Sequence, residues 1–120
     1  MLTLYVYVDG SDLADVEADL VSRFSAFIAE WGVETARLVN VKPPSASNAQ
    51  AGDLADWNLG MNFTVDRLPP EKIRQLVGFL SRTARETRRE FAIGSGGEDW
   101  HLVGPEPREN VVQLLIEQLA

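Results

Sequence analysis

The chain has 120 residues, 18 acids against 11 bases, a formal net charge of −7, one His and no Cys. At about 100–200 residues per domain this is one domain, 1–120, long enough to bury a core without disulfides or structural metal. The absent cysteines exclude a disulfide framework, a thiolate nucleophile, Cys-ligated zinc and an iron–sulfur cluster, and the single His excludes a multi-His metal site within one chain.

Residues 2–8 alternate, with Leu2, Leu4, Val6 and Val8 on one face and Thr3, Tyr5 and Tyr7 on the other. That is a strand buried on one side. Asp9-Gly10-Ser11-Asp12 breaks it, and Ser11 or Asp12 is a suitable helix cap. A helix follows over 13–31, where Leu13, Val16, Leu20, Phe24, Phe27, Ile28 and Trp31 form one apolar stripe that stops at Gly32. Residues 33–42 read as a strand of poor alternation, so an edge strand or one with both faces partly covered. Pro43-Pro44 ends it, and 43–56 is a small, polar, exposed loop.

A second clean strand spans 57–65. Trp57, Leu59, Met61, Phe63 and Val65 alternate with Asn58, Gly60, Asn62 and Thr64. Pro69-Pro70 opens a helix whose buried stripe is Ile73, Leu76, Val77, Leu80 and Ala84, and which ends between Glu86 and Arg89. Phe91–Ile93 is a short strand, Gly94-Ser95-Gly96-Gly97 a turn, and Asp99–Val103 its hairpin partner. After Gly104-Pro105-Glu106-Pro107 a last helix spans 108–119.

The order is β-α-β-β-α-β-β-α. Its first six elements match the ferredoxin-like, split βαβ plan: an α+β two-layer sandwich with an antiparallel sheet and two helices on one face. The last strand, paired in a hairpin, and the C-terminal helix are additions. Tyr5, Tyr7, Asn58 and Asn62 then project from the other face, as an open interaction surface unless the C-terminal helix, with its wide apolar arc, folds across it.

Charge is segregated. Residues 1–60 carry nine acids and three bases, whereas seven of the eleven bases lie between Arg67 and Arg89. Arg74, Arg82, Arg85 and Arg89 share one side of the second helix, an arrangement suited to bidentate contacts with an acidic partner or equally to a solvated face. Asp12, Asp15, Asp19 and Glu30 line one side of the first helix, so the two stripes either pair within the molecule or mediate association. Ala18, Ser22, Ser25 and Ala29 form a small-residue stripe on that helix, away from its core side.

Three polar residues are candidates for a pocket. Glu17 lies within the apolar arc of the first helix, where a carboxylate either reaches back to water or pairs with Arg37 or a ligand. His101 follows Glu98-Asp99-Trp100, and its plain reading is a solvent-side strand residue. The glycines at 94–97 match neither nucleotide fingerprint.

No catalytic constellation emerges. The expectation is a small, soluble, cytoplasmic binding protein without catalytic activity, acting through its charged helix faces or open sheet face as a homodimer. It needs no metal or cofactor. The acidic net charge disfavours nucleic acid, which ranks as a third reading through the arginine stripe, and with no basic leader and no apolar run near the ~18 residues of a membrane span no membrane is expected. The alternatives are a small-molecule sensor or carboxylate/arginine enzyme built on Glu17, Arg37 and His101, and an immunity-type neutraliser of a basic protein.

Overall fold

The structure is a computed structural model that describes residues 2–9, 13–41, 58–96, 98–106 and 109–120. Its elements are β1 (Leu2–Val8), α1 (Glu17–Trp31), β2 (Arg37–Val41), β3 (Asn58–Val65), α2 (Pro70–Thr87), β4 (Phe91–Ser95), β5 (Glu98–Val103) and α3 (Glu109–Leu119). The strands form one antiparallel sheet in the order β2-β3-β1-β4-β5. The fold is α+β, with β1 in the middle of the sheet and β2 and β5 at its edges.

Alternation sets the inner face. Leu4, Val6 and Val8 of β1 are buried, opposite Phe63 and Met61 on one side and Ile93 and Phe91 on the other. The apolar stripes of the helices close this face. α1 contacts β2 and β3, and α2 packs between α1 and α3 and reaches β5. Phe24 and Phe27 of α1 meet Phe79 of α2, the first edge-on at 5.3 Å and the second stacked at 4.3 Å.

The helix ends are tied to one another. Gly32, at φ 78°, supplies the left-handed residue that stops α1. The Trp31 indole N–H donates to the Lys72 carbonyl at 3.0 Å, and Lys72 Nζ donates back to the Trp31 carbonyl, an acceptor left free at the helix terminus. α2 begins with Pro70 at its first position and ends at Thr87, where Arg88 follows at φ 58°.

Several boundaries differ from expectation. α1 starts at Glu17, because Leu13–Val16 forms a turn closed by Val16 N–H to Leu13 O at 3.0 Å. The strand expected over 33–42 starts at Arg37, since Ala36 N–H to Val33 O closes another turn. β4 runs on to Ser95, so Gly94 is a strand residue and not part of the turn. A Cβ there would lie 2.1 Å from the Glu98 carbonyl oxygen and 2.4 Å from Tyr5 Oη. Gly94 is therefore the place where the Tyr5 side chain crosses the sheet, beside an irregularity in the β4–β5 pairing. Ser11, Asp12, the loop 43–56, Trp57 and Gly97 lie outside the described residues.

α3 joins the helix layer. Val111, Val112, Leu115 and Leu119 are buried, α3 contacts α2, and the Leu68 N–H donates to the Leu119 carbonyl at 2.8 Å. Among the described residues no helix covers the outer face of the sheet. The stripe Ala18, Ser22, Ser25 and Ala29 is exposed. No helix among the described residues is long and apolar enough to cross a membrane.

Candidate binding face on the sheet

The outer face is organised in rows that run across all five strands. Arg37 pairs with Asn62, Asn62 with Tyr5, Tyr5 with Gly94 and Gly94 with Asp99. The next row is Val39, Gly60, Tyr7, Ala92 and Leu102. One row thus ends in a cation on β2 and an anion on β5. The other ends in an aliphatic side chain at both edges.

The centre of the face is a tyrosine pair. The rings of Tyr5 and Tyr7 stack with centroids 4.9 Å apart. Tyr7 Oη donates to Asn62 Oδ1 at 2.8 Å, and Tyr5 Oη donates to Asp99 Oδ1. Both rings are half-buried, and their low neighbours Gly60, Ala92 and Gly94 leave them standing above the sheet. Burial, then the hydrogen bond to Asp99, pushes the Tyr5 phenol up to about 12, and burial also raises Tyr7. Both phenols are therefore neutral donors at physiological pH.

Threonines border this centre. Thr3 and Thr64 hydroxyls meet at 3.0 Å, and Thr35 Oγ1 donates to Thr64 O at 2.6 Å while accepting from Thr64 N at 2.9 Å. Asn58, half-buried, pairs with Val41 at the far end of β3. Arg37 donates to the carbonyls of Glu34 and Ala36, at 2.6 and 2.8 Å, which hold its guanidinium at the start of β2.

The three residues expected to form a polar pocket are not brought together. Glu17 faces the helix side, where Asn40 Nδ2 donates to its Oε2 at 2.8 Å. Arg37 is on the outer side of β2. His101 pairs with Ile93 on the inner side of β5, half-buried, with its Nε2 3.2 Å from Gln118 of α3. β2 and β5 are opposite edges, about 19 Å apart at ~4.8 Å per strand, so no single ligand-sized group of atoms is flanked by all three. His101 is also not the solvent-side residue expected of it, because Leu102 takes that side and is 52% exposed.

The arginine stripe on α2 is divided among neighbours. Arg74 meets Glu109 of α3 at 3.1 Å, Arg89 meets Asp15 at 3.0 Å, and Arg85 donates to the Pro105 carbonyl at 3.3 Å. Arg82 is exposed. Arg23 of α1, a base outside both expected stripes, bridges Asp19 at 3.0 Å and Glu86 of α2 at 2.5 Å. At the end of α2, Arg85, Arg88 and Arg89 line an open cleft of about 320 Å³ with Ala84, Glu90 and Pro105.

Sequence reasoning found the tyrosines and asparagines of the face but missed Asp99, Val39 and Leu102. Those three belong to it only through strand register. No protein-family model matches the chain, and neither a curated protein nor a solved structure does.

Proposed function

We propose that the protein is a binding protein without catalytic activity, built on the ferredoxin-like plan in β1–β4, α1 and α2, with β5 and α3 appended. Its working surface is the outer face of the sheet, and it acts as a homodimer. One observation carries this reading: among the described residues, a five-stranded face that no helix covers, with two stacked tyrosines at its centre. Tyrosines of this kind give large rigid contact area and a hydrogen-bonding tip at little entropic cost. Light scattering across a concentration series tests the reading. The expected mass at high concentration is twice the 13.3 kDa of one chain. A single-chain mass at every concentration would sink it.

A second reading is a sensor of small anions, favoured by the cleft at the end of α2, where three arginines face an open volume of about 320 Å³. Titration calorimetry with inorganic phosphate tests it, with binding abolished in Arg88→Ala if the cleft is the site. No heat of binding at millimolar phosphate would end this reading.

A further inference from the structure

We infer that the homodimer is a face-to-face sheet pair whose two-fold axis runs along β1, so that Arg37 of each copy lies over the partner's Asp99. The inference rests on the proposed homodimer and specifies which surfaces meet and in what register.

β1 is the middle strand of five, with β2 and β5 equidistant from it. A two-fold axis parallel to β1, midway between two stacked sheets, exchanges left and right but keeps position along the strands. It therefore lays β2 of one copy over the partner's β5 and preserves each row. In the first row that sets Arg37 against the partner's Asp99, twice per dimer, since both belong to the row of Tyr5. In the second row it sets Val39 against the partner's Leu102, the latter 52% exposed in the single chain. An axis across the strands instead would lay β2 on β2 and β5 on β5, placing like edge on like and bringing the carboxylate of Asp99 toward its own copy. Like-charge juxtaposition of that kind selects against a docking mode.

The centre fits the same operator. Tyr5 leans toward β4, its hydroxyl passing over Gly94 to Asp99, whereas Tyr7 bonds Asn62 on β3. The rotation places each Tyr5 ring over the partner's β3 half and not over its own image, so the two rings pass beside each other. Five strands at ~4.8 Å and strands of about 20 Å give a flat footprint of roughly 500 Å². With side-chain relief this lies at the small end of specific interfaces, which begin near 600 Å² per partner. The dimer therefore dissociates on dilution, and its two edge ion pairs bear visibly on its affinity.

Two measurements decide the matter. The chain has no Cys, so Arg37→Cys and Asp99→Cys provide unique thiols. Sheets stack about 10 Å apart, too far for a disulfide but within reach of a short bis-maleimide. The expected result is cross-linking in an equimolar mixture of the two variants and none in either alone. Cross-linking of a single variant with itself, or none in the mixture although the wild-type mass is that of a dimer, overturns the arrangement. The second measurement is a double-mutant cycle with Arg37→Gln and Asp99→Asn. The asparagine retains the oxygen that accepts from Tyr5. Each single change should raise the dimer dissociation constant roughly three- to thirtyfold, and the double change no more than either alone. Within one chain the two sites are too distant to couple, so monomer unfolding should show additive effects. Additivity in the dissociation constant as well would refute the Arg37–Asp99 contact. A wild-type chain that is monomeric throughout would refute the homodimer itself, which the mass reports before any variant is made.

Discussion

Two buried hydroxyls on α2, Ser81 Oγ and Thr83 Oγ1, have no hydrogen-bond partner among the described residues, although the residues are only 1% and 0% exposed. An unpaired buried hydroxyl costs about 1–3 kcal/mol, so Thr83→Val, which keeps the shape, should leave stability unchanged or raise it by about 1 kcal/mol. Urea unfolding would show this as a higher midpoint at constant slope. Gly94→Ala should do the opposite. Its Cβ has no room between the Glu98 carbonyl and the Tyr5 ring, and the loss should be about 1–3 kcal/mol by the same measurement. Tyr5 adds a pH dependence. The unfolded phenol ionises near the ordinary tyrosine value of 10.0, and the folded one holds its proton to about 12. Between those values the folded chain binds more protons than the unfolded chain. The stabilisation is thus complete below pH 10 and is lost as pH rises toward 12. Tyr5→Phe should flatten that alkaline decline in denaturation midpoints. Alternation alone marked Tyr5 as an outward residue. It gave no sign of Asp99, 94 positions along the chain, because a partner that distant is chosen by strand register.

At the scale of elements, the contact between α1 and α2 joins core packing to two local devices. One is the exchange between Trp31 and Lys72 at the helix ends. Trp31→Phe shrinks the buried ring and removes the indole N–H that the Lys72 carbonyl accepts beside its helical partner, and should cost about 1–3 kcal/mol in thermal or urea unfolding. The other is Arg23, which bridges its own helix and Glu86, both partners half in water. A pair of that exposure is worth about 0–1 kcal/mol and weakens with salt. The elements themselves were legible from apolar period and from breakers such as Gly32 and Pro69-Pro70. Their first turns were not. Leu13 and Val16 continue the apolar stripe of α1, yet they sit in a turn, because a stripe records which side is buried and not whether the backbone is already helical. The arginine stripe of α2 was equally visible as a pattern. What it meets depends on where α3 and the turn before α1 come to rest, which helical spacing does not specify.

For the whole molecule, the placement of α3 decides which surface is available. Its four buried aliphatics, Val111, Val112, Leu115 and Leu119, lie in the helix layer. Each buried side chain of this type contributes about 1.5–3 kcal/mol, a total comparable with the 5–15 kcal/mol that holds a domain together. Truncation after Gly104 should therefore abolish the cooperative thermal transition and expose dye-binding apolar surface, whereas a helix loosely laid on the sheet would be dispensable. The sequence by itself determined the elements, their order and the inward side of β1 and β3, because those follow from local periodicity and from the backbone limits of Gly and Pro. Only the tertiary structure decided that α3 flanks α2 and does not lie across the tyrosine face, that His101 points inward, and that Glu17, Arg37 and His101 stand apart. It alone set Arg37 and Asp99 at the two ends of one row. Each of these depends on strand order and register, which are fixed by the joint burial of residues far apart in the chain.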